Sequence, residues 1–277
     1  MPNVKTQERA KGSLNACCAA EDASRAAGAW RRAFYALKHQ AADLRELAGL
    51  PTIDIDLMYA RTADNDPFYG RITKEFYVSA RRRHPKFPLV RRLTQGVAVC
   101  TLPSTFDEYF SQIEAAGRRN FKKANRNGFT FAPIAFNDFL DDVGRIRRST
   151  EYRQGRVPET LLSEDVEPCA NPASRNGYHD YPYFGIIRDD ALYAYAGCRI
   201  AGELCMIEHI LGDAAVQSEG IVPMLILSIA TRLKERYPAV KYFAYGSYFG
   251  AREEMRRFKR KFLFLPHRVR WHLGDRS

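Results

Sequence analysis

No stretch of this 277-residue chain approaches the ~20 consecutive apolar residues that a membrane-spanning helix requires, and the longest, 221–230, contains Pro223. The charged N-terminus is not followed by an apolar segment of signal-peptide length, so a cytoplasmic location is expected. Cysteine is sparse and scattered. Its 6 residues include adjacent Cys17 and Cys18 but no C-x-x-C pair, which argues against a zinc site and for reduced, buried thiols. A Gly-x-Ser-x-Gly nucleophile elbow is missing as well, because Gly246-Ser247-Tyr248-Phe249-Gly250 has its glycines at the wrong spacing; a serine hydrolase of that kind is excluded. Internal repeats and low-complexity segments are absent.

What is present is an ordinary globular composition, 45% hydrophobic and 12% aromatic, carrying a formal charge of +11. The cations cluster at 81–83, 91–92, 118–126, 145–156 and 252–261. Such a chain invites an acidic partner: nucleic acid, a phosphorylated small molecule or a membrane surface.

From 24 to 47 the spacing of Trp30, Phe34, Leu37 and Ala41 predicts a helix, ended by Gly49 and Pro51. Alternation over 52–59 predicts a half-buried strand. Asp54 and Asp56 share one face of it without a visible third metal ligand, and no metal is assigned. Residues 64–70 read as a loop. A short strand at 96–102 precedes a helix capped by Ser104 or Thr105. The next helix places Arg119, Lys122, Lys123 and Arg126 on one side, and with Arg118 they form a candidate grip for phosphates. Asn127-Gly128 turns the chain into 129–131. A further helix over 137–150, capped by Asn137 or Asp138, leads into a polar loop in which Arg153 and Arg156 are candidate substrate ligands.

The stretch 178–272 organises the rest, reading strand, strand, strand, helix, strand, helix, strand. Short turns at Asp189-Asp190 and Ala201-Gly202 imply an antiparallel meander. The third strand ends in a polar turn that opens a helix, with Ser218 and Gly220 at a point suited to an anionic or carbonyl-bearing ligand. Pro223 fits only the first turn of that helix. The last helix is strongly basic, with Arg256, Arg257 and Arg260 as further phosphate candidates. Glu208 lies mid-strand among apolar neighbours, where burial would raise its pKa towards that of a general base. In a regular strand His209 points to the opposite face, as a structural histidine.

This order resembles the acyltransferase fold of the GNAT superfamily, and most closely the FemABX-like branch of aminoacyl-tRNA-dependent transferases. The resemblance spans roughly 96–273. It rests on the segment Arg118-Arg119-Asn120-Phe121-Lys122-Lys123-Ala124-Asn125-Arg126-Asn127-Gly128, on the strand-plus-helix pair 203–237, and on Tyr245-Gly246 followed by Phe258-Lys259 and the hydrophobic strand 264–271. It implies an α/β (α+β) fold with a mixed, mostly antiparallel central sheet flanked by helices over 96–277, preceded by a helical extension and partial lobe over 1–95. The activity implied is transfer of an acyl or aminoacyl group to an amine or hydroxyl, with no permanently bound cofactor. The donor would be aminoacyl-tRNA or acyl-CoA, and tRNA or another nucleic acid the partner. In that branch a Phe-Lys pair belongs to the active site, which marks Phe258 and Lys259, the lysine stabilising charge. Related enzymes place a proton-donating tyrosine where Tyr245 and Tyr248 stand. Acetyl-CoA enzymes carry an Arg/Gln-x-x-Gly-x-Gly/Ala loop. In this chain the segment reads Gln217-Ser218-Glu219-Gly220-Ile221-Val222-Pro223, in which Glu219 would repel a pyrophosphate and Pro223 removes a donor. Acetyl-CoA-dependent N-acetylation is therefore the second enzymatic reading, and a non-catalytic nucleic-acid binder of the same fold the third.

Overall fold

Alternating apolar residues build most of this protein into one sheet, whose strands are β1 (Thr52–Asp56), β2 (Val97–Thr101), β3 (Thr130–Ile134), β4 (His179–Asp180), β5 (Tyr183–Arg188), β6 (Ala191–Ala201), β7 (Leu204–Gly212), β8 (Tyr242–Ser247) and β9 (Leu265–His272). The helices are α1 (Pro67–Ala80), α2 (Phe106–Gln112), α3 (Ala115–Arg126), α4 (Leu140–Arg148), α5 (Ile221–Arg236) and α6 (Glu253–Lys261). The computed structural model describes residues 47, 49–62, 65–83, 91–152, 162 and 165–274. The helix expected over 24–47, save its last position, and the loop carrying Arg153 and Arg156 lie outside them. Two compact units divide at Gly49, and the sheet and its helices belong to the second, Leu50–Ser277.

The sheet runs β1-β9-β2-β8-β7-β6-β5-β3, with β4 paired to β6. Only β1/β9 and β7/β8 are parallel; the other pairs are antiparallel. The mixed, mostly antiparallel sheet flanked by helices that the resemblance implied is the architecture found. The meander β5–β6–β7 turns where expected, through Asp189 and Asp190 at positive φ (51° and 60°), the backbone that a tight hairpin turn demands. β1 pairs along its whole length with β9, so a strand from the N-terminal 95 residues belongs to the same sheet as the C-terminal strand.

The two faces of the sheet are covered differently. On one, the apolar stripe of α5 (Leu225, Ile226, Ile229, Leu233) packs with α2, α3 and α6 over Phe184, Ala196, Cys198 and Ile207. On the other, Phe76 and Ala80 of α1 meet Val269 and Trp271, while Val143 and Ile146 of α4 meet Tyr183 and Tyr195. Helix α1 corrects the loop expected at 64–70. Pro67 stands at its first position, where its missing N–H has no partner to lose, and Gly70 is buried within it. Thr105 caps α2 as expected, its side chain accepting from the Glu108 N–H. Asn137 does not cap α4. Its amide instead bridges both backbone groups of Cys169.

Two glycines in left-handed backbone test how tightly the helices seat on this sheet. At Gly220 (φ +89°) an added Cβ would lie 2.3 Å from the carbonyl oxygen of Asn120 in α3, whereas at Gly246 (φ +56°) nothing lies within 4 Å. Gly220→Ala therefore combines backbone strain with a backbone clash, and should lower stability by at least about 2 kcal/mol. Gly246→Ala carries strain alone and should cost about 1 kcal/mol. Urea denaturation midpoints of the two variants measure the difference.

Candidate active site

The site grows from a split in the sheet. Parallel β7 and β8 pair only at Leu204–Tyr242, Cys205–Phe243 and Met206–Ala244, although β7 continues to Gly212 and β8 to Ser247. Each strand stays with its other neighbour and carries a bulge there. On β7, Ile207 faces Cys198 and His209 faces Gly197, so Glu208 is the extra residue. On β8, Ala244 faces Val99 and Ser247 faces Val97, with Gly246 at positive φ between them. Bulges bend a strand and sharpen its twist, and one on each side of the gap drives the two arms apart.

The first bulge corrects two expectations about β7. Glu208 is not buried; it stands exposed on the α1 face. Its carboxylate accepts from Arg199 Nε at 2.6 Å and from the Tyr181 hydroxyl at 2.9 Å. Arg199 in turn donates to the carbonyl of Ile72 at 3.0 Å and lies over the Phe76 ring. His209 does not point to the opposite face. The extra residue resets the alternation, so its ring lies against Tyr183, Tyr195 and Gly197, on the same face as Glu208. A cavity of about 600 Å³ opens there, lined by Ile72, Glu75, Arg199, Glu208, Gly246 and Ser247 among others.

The second arm holds Lys259. Although α6 is basic, Lys259 is its buried residue, 5% exposed, with Nζ donating to the Ser247 carbonyl at 2.7 Å and lying 4.7 Å from the Tyr245 ring centroid. Desolvation pulls its pKa down to about 8. Burial pushes Tyr245 up to about 12, keeping the phenol protonated at neutral pH. Tyr245 and the neighbouring Phe264 belong to the α5 face. Lys259 and Glu208 thus approach the split from its two faces and meet through Ser247, which accepts from one and lines the cavity with the other. Tyr248 is buried away from them, its hydroxyl accepting from Arg260 at 2.8 Å, and Phe258 packs on Phe262.

The expected anion site at the start of α5 is covered. Asn120 of α3 abuts Gly220, Lys123 donates to the Ser218 carbonyl at 3.0 Å, and Glu219 is held there by Asn127 and Arg188. The phosphate candidates divide into occupied and available groups. Arg118 is spent on the carbonyls of Ser111 and Ile113, Arg256 donates to Ala251, and Arg260 is paired with Glu253. Arg119, Lys122, Arg126 and Arg257 are exposed and have no hydrogen-bond partner among the described residues. Helices α3 and α6 touch where the Glu114 N–H donates to the Lys261 carbonyl and Gly117 meets Phe262. Asp54, one of the two strand aspartates, accepts from Arg270 and His272.

Burying an amine costs stability that removing it returns. Because the folded pKa of Lys259, about 8, lies below its ordinary 10.5, the unfolded chain binds the extra proton between those values. Stability contributed by this group therefore rises with pH across that window. Lys259→Met should raise the thermal midpoint at pH 7 and abolish that rise, which melting curves of both proteins from pH 7 to 11 would show as a shrinking difference.

No protein-family model and no curated protein matches the sequence. Solved structures that it resembles include FemX (7% identity, 62% of this chain and 59% of that one, TM-score 0.46). The C-terminal domain of a putative lysylphosphatidylglycerol synthetase from Agrobacterium fabrum is similar at 15% identity over 63% and 58%, TM-score 0.40. So is a GCN5-related N-acetyltransferase from Kribbella flavida at 14% identity over 65% and 55%, TM-score 0.32. The chain spans less than three fifths of the length of each.

Proposed function

We propose that this protein is an acyltransferase, and that it carries an aminoacyl group from an aminoacyl-tRNA to an amine or hydroxyl acceptor at the split between β7 and β8. The observation that carries the reading is Lys259: an amine held out of water, against a tyrosine ring, at the point where two strands part. Buried amines are costly and are retained where their charge is used. With a pKa of about 8, the group is mostly an ammonium at pH 7 and can face the oxyanion that forms when a nucleophile adds to the donor's ester carbonyl.

In this reaction the acceptor's nitrogen or oxygen bonds to the ester carbon, and the bond from that carbon to the ribose oxygen then breaks. Tyr245, neutral at pH 7, supplies a proton to the departing oxygen, and the proton that the acceptor loses passes through solvent to restore the phenol. The cavity on the α1 face takes the acceptor, with the Arg199–Glu208 pair as its polar wall. The choice of donor rests on two features. The covered start of α5, with Glu219 beside it, leaves no bed for a CoA pyrophosphate, and the joined α3–α6 surface offers exposed cations to a polyphosphate strand.

Purified protein given charged tRNA and a panel of amines should transfer the aminoacyl group, while acetyl-CoA should not serve. Lys259→Met should lower kcat by at least about 100-fold, the size of effect seen when one oxyanion donor is removed. Reversing Arg119, Lys122 and Arg126 together to glutamate should weaken tRNA binding and flatten its log–log salt dependence by about 3, leaving kcat nearly unchanged. Turnover with acetyl-CoA but not with charged tRNA would exchange the donor, and turnover with neither would remove the activity.

A further inference from the structure

The cavity on the α1 face has one charged wall that is already satisfied and two charged groups that are not. On the β6–β7 side the Glu208 carboxylate is taken up by Arg199 and Tyr181, and Arg199 gives a further donor to the Ile72 carbonyl. Glu75 and Arg92 line the same cavity, and both are exposed. Among the described residues neither side chain has a hydrogen bond or an ion pair, with each other or with any other group.

The backbone beneath both groups is fixed. Glu75 lies within α1, between buried Thr73 and Phe76. The Arg92 N–H donates to the Arg82 carbonyl at 2.8 Å and the Leu93 N–H to the Ala80 carbonyl at 3.0 Å, which ties this segment to the end of α1. The Leu93 carbonyl also accepts from Trp271 Nε1 of β9 at 2.6 Å. Arg199 and Glu208 therefore flank the cavity from β6 and β7, and Arg92 from the β9 side of β8. Glu75 lines it from α1, and Gly246 and Ser247 line it at the split. Glu75 and Ser79 also border an adjoining hollow of about 540 Å³, where Arg71, Lys74 and Arg82 make the field over α1 positive. A plain anion would suit such a field. Glu75, standing at both hollows, adds a place for a positive group as well.

We propose that this cavity binds a free amino acid as the acceptor, its carboxylate on Arg92 and its ammonium beside Glu75. Opposite charges held apart on a rigid frame select a molecule that carries both signs. A plain amine would leave the guanidinium unused, and a plain anion would meet the repulsion of Glu75. The planar guanidinium fork of Arg92 matches a carboxylate in shape as well as in charge. At about 600 Å³ the cavity has the size of a small-molecule site. An amino acid carries both groups on one carbon, whereas a peptide separates its ends by about 3.5 Å for each residue added. The role as acceptor rests on the acyltransferase reading; the selectivity is a binding property and can be measured without turnover.

The test is titration calorimetry of the full chain with alanine, leucine, lysine and glutamate, followed by the amide, the N-acetyl derivative and the dipeptide of the tightest binder. The amide lacks the carboxylate and the N-acetyl derivative lacks the ammonium. Each is expected to bind about 10-fold or more weakly than the free amino acid, the weight of one hydrogen bond between charged groups. Arg92→Gln should weaken the amino acid by a similar factor and erase the preference over the amide, while Arg92→Lys keeps part of it. Glu75→Gln should erase the preference over the N-acetyl derivative. Both side chains are exposed, so thermal midpoints should stay at the wild-type value. In transfer from charged tRNA the loss in both variants should fall on the acceptor KM, in contrast to the loss of kcat expected for Lys259→Met. Equal binding of the amide or of the N-acetyl derivative to wild type would overturn the proposal. So would affinities unchanged in both variants, or no binding of any of the four amino acids. Tighter binding of the dipeptide would overturn the free amino acid in favour of a peptide. Selective binding with these dependences but no transfer would uphold the amino acid site and overturn the acyltransferase reading. Transfer to amines without a carboxylate, untouched by Arg92→Gln, would do the reverse.

Discussion

Three backbone pairs hold β7 to β8, and everything else about the site depends on why there are no more. Unmade ladder hydrogen bonds are expensive inside a protein, so strands part only where something else satisfies or bends them. In this sheet β7 remains bonded to β6 and β8 to β2, and each holds one residue more than its neighbour across the bulged step. Gly246 supplies the left-handed backbone on the β8 side, with no neighbouring atom within reach of a side chain there. The gap is thus built from both flanks, and α5, buried along Leu225, Ile226, Ile229 and Leu233, covers one face of the sheet.

That gap reconciles two groups that a continuous sheet would keep apart. Lys259 belongs to the α5 face and Glu208 to the α1 face, and in an unbroken sheet the strands would lie between them. Because the strands separate, the Ser247 carbonyl is reachable from one side by the lysine while its residue lines the cavity on the other. The desolvation that lowers the lysine's pKa is part of the same arrangement: an amine set in water would keep its ordinary value and contribute less to a developing negative charge.

Much of the frame was legible in the chain because it is written in local period. The meander over 183–212, the Thr105 cap and the place of Pro223 in the first turn of α5 follow from alternation and capping chemistry. Helix α1 was hidden because Pro67 and Gly70 look like breakers, and only burial against Trp271 shows that one begins a helix and the other packs inside it. The fate of Glu208 and His209 was hidden for a deeper reason. A bulge is a property of two strands in register, and nothing in residues 204–212 taken alone says that β6 opposes them with one residue fewer. The burial of Lys259 did leave a local sign, since it stands four residues after Met255 and three before Phe262 on the stripe that turns inward, but the run of cations around it obscured that spacing.

The basic surface has the same lesson for charge. Arg118, Arg256 and Arg260 lie in runs that invite a phosphate, yet their donors go to Ser111, Ala251 and Glu253, where they fasten helix ends and a neighbouring turn. A cation committed to a carbonyl still adds to the long-range field but cannot close on a phosphate without breaking a bond already made. In the reaction proposed above, direct contact with a phosphate would fall to the cations left over, Arg119, Lys122, Arg126 and Arg257, while the rest would supply attraction at distance. Helix α3 joins the two features: Asn120 covers the start of α5, and the exposed turn beside it displays Arg119 and Lys122. One piece of packing thus closes a backbone that could hold an anion and leaves uncommitted charge on the surface outside it.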